Sequence, residues 1–420
     1  MVTAVLIIGL AVAVFVGFNI GGSSTGVAFG PAVGSRLVSK TGAAALFTGF
    51  ALLGGATVGT EVIETMGGRI VPADQFTLAA SVGVLFFVGL ALLISNLFGV
   101  PASTSMTAVG AIAGLGVASG SLDYAVMFEI VSAWIVAPVL AFWICAVVGR
   151  YLYPYLDAWF GIDRSDGALF VLDRSGSVPI PHLAEDTSRK EGFWSAIVLA
   201  ISCYMAFSAG ASNTANAVAP LVGGGAISIT QGVVLAAAAI GLGSFTIARR
   251  TLDTVGNDLT DLPLLASLVV AIVSATIITV LSEFGIPASL AVSATMCIVG
   301  LGWGRATRTT TVASAATAAI QGSEETTTIS TNALAADDTA TGTTAGDVAG
   351  DVTGDTANGD VAGAGGVPGI GEEEPDELAA NDLFDPATTG RVVMLWIMTP
   401  SLSAAASFVL FELFPVYGGT

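Results

Sequence analysis

The chain has 420 residues, 54% of them hydrophobic and 11% charged, with a mean hydropathy of +0.83, which excludes both a soluble domain and a disordered chain. Its 32 carboxylates face 13 lysines and arginines for a net charge of −19, so no basic stripe exists for nucleic acid, and the balance is that of halophile proteins hydrated in concentrated salt. A lone His182 and three cysteines far apart in apolar stretches (Cys145, Cys203 and Cys297) supply neither a catalytic triad nor a metal-ligand set. The expected class is therefore a polytopic membrane protein that is not an enzyme, its cysteines acting as small packing residues.

Apolar windows long enough for membrane helices fall at about 2–20, 42–60, 77–98, 104–119 and 125–148. The first lacks a basic flank and is read as a span, not a cleaved leader. A second series follows at about 193–209, 226–246, 263–284, 290–304 and 391–413. Windows 104–119 and 290–304 are short and Gly-rich and are candidates for re-entrant segments. The predicted fold is all-α, with two inverted-topology repeats of about five spans each and broken or re-entrant helices, because an odd count makes the second half enter from the opposite side.

The expected organisation is a first membrane repeat over 1–150, a cytoplasmic linker over 151–192, most of the second repeat over 193–308, an insertion over 309–390, and the last span within 391–420. Residues Tyr151 to Phe160 read as a short amphipathic piece of the linker. The insertion holds fifteen carboxylates and no Lys or Arg, and is expected to be disordered, either as a regulatory loop or as a solvated insertion. With both termini outside, segments 150–192 and 305–391 are cytoplasmic and twelve of thirteen basic residues lie inside, leaving Arg69 alone outside, as the positive-inside rule requires.

Two strings of the sequence occur twice. GGSSTGVAFGP at 21–31 returns as GASNTANAVAP at 210–220, an offset of 189, and GVPAS at 99–103 returns as GIPAS at 285–289, an offset of 186. WIVAP at 134–138 likewise returns as WIMTP at 396–400. A helix broken at Gly21–Thr25 or Gly210–Thr214 would bare amides and a positive dipole end suited to an anion. Ser23, Ser24 and Thr25 with Ser212, Asn213, Thr214 and Asn216 would then surround one central site. The competing reading of the same glycines and serines is close helix packing.

Ser103, Thr104 and Ser105 put three hydroxyls at the start of a span, whereas Ser289 is followed by Leu290 and Ala291 and is explained as a helix cap alone. Glu64 aligns with Asp253 at the 189 offset, making these two the tentative cation-coupling carboxylates, although both sit at span ends where snorkelling to the interface is easy. Glu283 and Glu412, late in their spans, are weaker candidates.

The segments GGSSTGVAFGPAVGSR, TVGTEVIETMGGRI, GVPASTSMTAVGAIAGLG and WIVAP, with FSAGASNTANAVAP, RRTLDTVGNDLT, GIPASLAVSATMCIVGLG and WIMTP, resemble the inorganic phosphate transporter family. That resemblance implies an inverted-repeat secondary transporter importing phosphate with sodium or protons, without a further cofactor, and assembling as a homodimer. The chain departs from the family where Gly-Ala-Asn-Asp-Val-Ala-Asn is usual, since Ser24 and Asn213 stand in place of the signature aspartates. Sulfate accepts hydrogen bonds only and suits a site of pure donors, whereas monohydrogen phosphate also donates. A carboxylate-free site therefore keeps sulfate or another oxyanion as the alternative substrate, and a non-transporting transceptor as the alternative class.

Overall fold

The computed structural model describes residues 2–97, 103–160, 170–173, 180–183, 189–247, 263–309 and 386–418. Asp253, nearly all of the acidic insertion and most of the linker beyond Phe160 lie outside the described residues. The first half builds α1 (Val2–Gly34), α2 (Lys40–Ala56), α3 (Gly59–Glu64) with a π-helical turn over Thr65–Arg69, α4 (Leu78–Leu97), α5 (Thr104–Ala118) and α6 (Tyr124–Val147). After α7 (Tyr153–Phe160), the second half builds α8 (Arg189–Gly223), α9 (Ile229–Thr246), α10 (Leu264–Glu283), α11 (Leu290–Ala306) and α12 (Pro386–Leu413). A linker hairpin pairs β1 (Phe170–Asp173) with β2 (Ile180–Leu183), Phe170 opposite Leu183. The rest is helical because a helix satisfies its own backbone where no water can.

The ends are set by local chemistry. Ser39 caps α2 by accepting from the Gly42 amide at 3.1 Å, Asp123 caps α6 through the Ala125 and Val126 amides at 2.9 and 3.1 Å, and Ser228 with Gln231 forms a reciprocal capping box on α9. Among the described residues seven helices are long and apolar enough to cross a membrane, or eight if α2 and the segment Gly59–Arg69, bent by 64°, count as one. With 15 residues, α5 covers about 22 Å and is too short for a hydrocarbon core of about 30 Å.

The hairpin formed by α4 and α5 enters and leaves at one end of the bundle. At that end Thr77 Oγ1 donates to the Val416 carbonyl, Ser81 Oγ to the Pro220 carbonyl near the close of α8 at 2.8 Å, and Tyr417 to the Ala118 carbonyl closing α5 at 3.2 Å. The second hairpin, α10 with α11, belongs to the opposite end. There Arg308 donates to the Arg150 carbonyl at 2.7 Å, Arg150 donates to the Thr307 carbonyl, and α10 packs on α7. The short windows 104–119 and 290–304, expected as re-entrant candidates within about five spans per half, become α5 and α11, each forming a hairpin with α4 or α10 beside three other membrane elements per half (α1, α2 with α3, and α6; then α8, α9 and α12). Three is odd as well, so the parity on which the inverted arrangement was argued is unchanged.

The halves hold each other by exchange. A Cβ on Gly21 would lie 1.9 Å from the Ile240 carbonyl oxygen and one on Gly210 2.1 Å from that of Ala51. Likewise Gly243 abuts the Phe18 carbonyl at 2.0 Å and Gly54 that of Phe207 at 1.9 Å. Each contact maps onto its counterpart by the same shift of 189 residues, Gly21 to Gly210 and Gly54 to Gly243. Within these pairs the helices run the same way, Gly17 beside Ala236 and Gly22 beside Ile247, Phe207 beside Gly54 and Ala211 beside Gly59. The partners α5 with α12 and α11 with α6 exchange in the same manner, Gly114 on the Ala404 carbonyl at 2.4 Å and Gly300 on that of Phe142 at 2.1 Å.

The helix breaks expected at Gly21–Thr25 and Gly210–Thr214 are absent; α1 and α8 continue through both. Thr25 and Thr214 return their hydroxyls to the carbonyls of Gly21 and Gly210, each at 2.7 Å, and the glycines admit a neighbouring backbone, so the helical ladder stays intact. Two of the cysteines that the sequence separates also come together, Cys145 of α6 beside Cys297 of α11, and all three are unbridged and buried.

Candidate functional site

The N-termini of α5 and α11 converge in the bundle interior. Ser103 caps α5 by accepting from the Met106 amide at 3.4 Å, and Ser289 caps α11 by accepting from that of Val292 at 3.4 Å. Met106 and Val292 pack with Trp396 and Trp134 in a small apolar cluster apart from the main core. Each pair consists of repeat counterparts, Met106 with Val292 and Trp134 with Trp396. Two positive helix ends therefore flank one apolar cluster.

A polar network joins the first turn of α5 to α8. Thr104 Oγ1 donates to Asn213 Oδ1, and Asn216 Nδ2 donates both to that same oxygen and to Ser105 Oγ, each at 3.1 Å. The bond to Asn213 sets the orientation of the Asn216 amide, since a flip would place two amide oxygens face to face. Asn216 Oδ1 is left buried with no donor. Ser103, Ser105 and Asn216 are fully enclosed, Asn213 is 5% exposed, and no ionisable side chain takes part in these bonds. Asn213 lies ten residues before the end of α8, about 15 Å along the axis and so near half a bilayer core deep.

The network is one-sided. At the repeat counterparts of Thr104, Ser105, Asn213 and Asn216 stand Leu290, Ala291, Ser24 and Val27, which cannot reproduce it. The structure thus assembles Ser103, Thr104, Ser105, Asn213 and Asn216, with Ser289 across the apolar cluster. Ser23, Ser24, Thr25, Ser212 and Thr214 make none of these bonds. Ser23 donates to the Ile20 carbonyl at 3.1 Å, Ser24 is half-buried on α1, Thr25 reaches Ser244 of α9 at 2.8 Å, and Ser212 approaches the Ala209 carbonyl at 3.5 Å. Glu64 is exposed at the end of α3 and makes none of the network's bonds, and Asp253 is outside the described residues. Glu283 and Glu412 close α10 and α12 and are exposed. Among the described residues no group of three His, Cys, Asp or Glu could hold a metal ion.

Trp134 and Trp396 were not candidates from sequence, although the repeated WIVAP and WIMTP strings marked their positions. Trp134 Nε1 donates to the Pro287 carbonyl at 2.7 Å, while Trp396 Nε1 is buried without an acceptor. Two helix N-termini, one unpaired indole donor and one unpaired amide acceptor in an uncharged buried region suit a small anion that also carries a hydroxyl.

Membrane-length helices and two hairpins whose capped helix N-termini meet inside, with no ionisable side chain in the network there, define a polytopic membrane protein. The pattern of the phosphate transporter family matches residues 20–407, and the chain belongs to that family. The sulfate permease CysP of Bacillus subtilis is 30% identical over 289 residues, covering 69% of this chain and 74% of the permease. A solved structure of "the sodium-dependent phosphate transporter" superposes with a TM-score of 0.64 at 16% identity over 98% of this chain and 99% of that one, a likeness of fold.

Proposed function

We propose that the chain is a secondary transporter importing inorganic phosphate across the cell membrane, coupled to sodium or protons, with the anion held between the N-termini of α5 and α11 against Asn213 and Asn216. The observation that carries the choice of phosphate is the buried, donorless Asn216 Oδ1. An unsatisfied buried acceptor costs about 1–3 kcal/mol, and the hydroxyl of monohydrogen phosphate can meet it where sulfate cannot. Sulfate is the second reading, favoured by the absence of a carboxylate from the network and by the 30% identity to a sulfate permease.

The inverted arrangement of the two repeats is supported by the exchanged, same-direction packing of α1 with α9 and of α8 with α2. Termini outside and a homodimer complete the proposal. Its sidedness is supported by Arg36, Lys40, Arg150, Arg305 and Arg308, all at the end opposite Arg69.

The test is uptake of labelled phosphate and labelled sulfate by reconstituted vesicles, under a sodium gradient and under a pH step. Phosphate uptake that resists excess sulfate and is lost in Asn216→Leu is expected. Sulfate uptake without phosphate uptake would replace phosphate by sulfate, and a folded protein moving neither would refute transport.

A further inference from the structure

The geometry points to a second anion-binding site, an outer capture station in which Arg69 takes a tetrahedral oxyanion before it reaches the interior. This role rests on the transport function proposed above.

The end of the bundle at which α12 finishes is acidic. Glu61, Glu64, Asp74, Asp123, Glu129 and Glu412 are all exposed on the segments that reach it, and among the described residues Arg69 is the one basic side chain there. A divalent oxyanion approaching that end is repelled everywhere except at Arg69, and an attractive point on a repulsive face selects where encounter occurs.

Arg69 lines an open pocket of about 510 Å³, together with Gly68, Pro72, Ser121, Asp123 and Tyr124. Its guanidinium makes one long hydrogen bond, Nη1 to Thr65 Oγ1 at 3.3 Å, and has no ion pair among the described residues. Asp123 in the pocket wall is committed to capping α6, its Oδ1 accepting from the Ala125 and Val126 amides at 2.9 and 3.1 Å, and among the described residues it makes no ion pair with Arg69. The remaining N–H groups of the guanidinium fork are free for a bidentate oxyanion contact.

The pocket adjoins elements that reach the interior. It lies beside the C-terminal end of α5, whose first turn carries Thr104 and Ser105, about 22 Å away along the axis. Thr65, the hydrogen-bond partner of Arg69, abuts Gly285, where a Cβ would come 2.7 Å from Thr65 Oγ1. Gly285 has φ +70° and precedes the cap Ser289 by four residues, so the contact leads from the pocket to the tip of the second hairpin.

The experiment uses the full chain in vesicles of neutral lipid, with inorganic phosphate and sulfate as probes. Arg69→Gln should raise KM about five- to tenfold with kcat within about twofold, and Arg69→Lys should recover most of the loss. An unchanged KM, or a fall in kcat at unchanged KM, would overturn the capture role and leave Arg69 a structural partner of Thr65. So would an effect of Arg69→Gln confined to vesicles containing anionic phospholipid, since the pocket would then hold a lipid headgroup. Modification of Arg69 by phenylglyoxal, followed by mass spectrometry in the Asn216→Leu chain, separates the two proposals. Protection by either oxyanion supports the pocket even where no uptake occurs, and absence of protection overturns it.

Discussion

Replacing Gly210 with alanine adds one methyl group where α8 meets α2, and the structure sets the size of the consequence. The new Cβ would stand 2.1 Å from the Ala51 carbonyl oxygen and 2.5 and 2.6 Å from its Cα and carbonyl carbon. A carbon–oxygen contact needs about 3.3 Å, so the helices must part by about 1.2 Å, and the obstructing atoms are backbone with no rotamer to change. Overpacking of this kind costs about 1–3 kcal/mol, more where neighbours cannot yield, against which alanine returns about 1 kcal/mol of helix propensity. Gly49→Ala is the internal control, because nothing lies within 4 Å of its added Cβ and only the propensity gain remains. Thermal unfolding of the full chain in detergent should show Gly210→Ala losing several degrees, or failing to accumulate, with Gly49→Ala unchanged or slightly raised. Equal stability of the two variants would refute the close-packing account of the repeated motif and restore a broken helix at Gly210.

The two repeat-related tryptophans predict an unequal pair. Trp134→Phe removes the 2.7 Å bond to the Pro287 carbonyl and should cost about 1–2 kcal/mol, whereas Trp396→Phe removes a buried indole N–H that has no acceptor and should cost less. Equal losses in the same unfolding assay would contradict this. Ser228→Ala removes the hydroxyl half of the capping box of α9, in which Ser228 Oγ accepts from the Gln231 amide at 3.3 Å. It should lower stability by about 1 kcal/mol without changing uptake KM, and a KM change would tie this turn to the transport path.

Much of the site's vocabulary was legible in the chain, and less of its grammar. Ser103, Thr104, Ser105, Asn213 and Asn216 were all candidates, because hydroxyls and amides in membrane helices need partners and stand out against leucine and alanine. That Asn216 would reach Ser105, 111 positions away, was not legible, since it depends on how α8 crosses the first turn of α5. Thr25, of equal standing by sequence, turns instead to Ser244. Gly-rich strings also carry two meanings: both a helix break and a close backbone approach require a missing Cβ, and only a neighbouring carbonyl at 1.9 Å tells them apart at Gly21.

By itself the sequence determined the membrane class, the positions of ten apolar windows and the duplication at 189 residues, because hydropathy and repetition are properties of the chain alone. Only the tertiary structure decided that α4 with α5 and α10 with α11 are hairpins, since depth is a relation between helices and the composition of a hairpin arm equals that of a span. It also decided that the polar network is one-sided. Duplication copies a backbone path, and the side chains that converge on it have diverged to Leu290, Ala291, Ser24 and Val27 on one side and to Thr104, Ser105, Asn213 and Asn216 on the other.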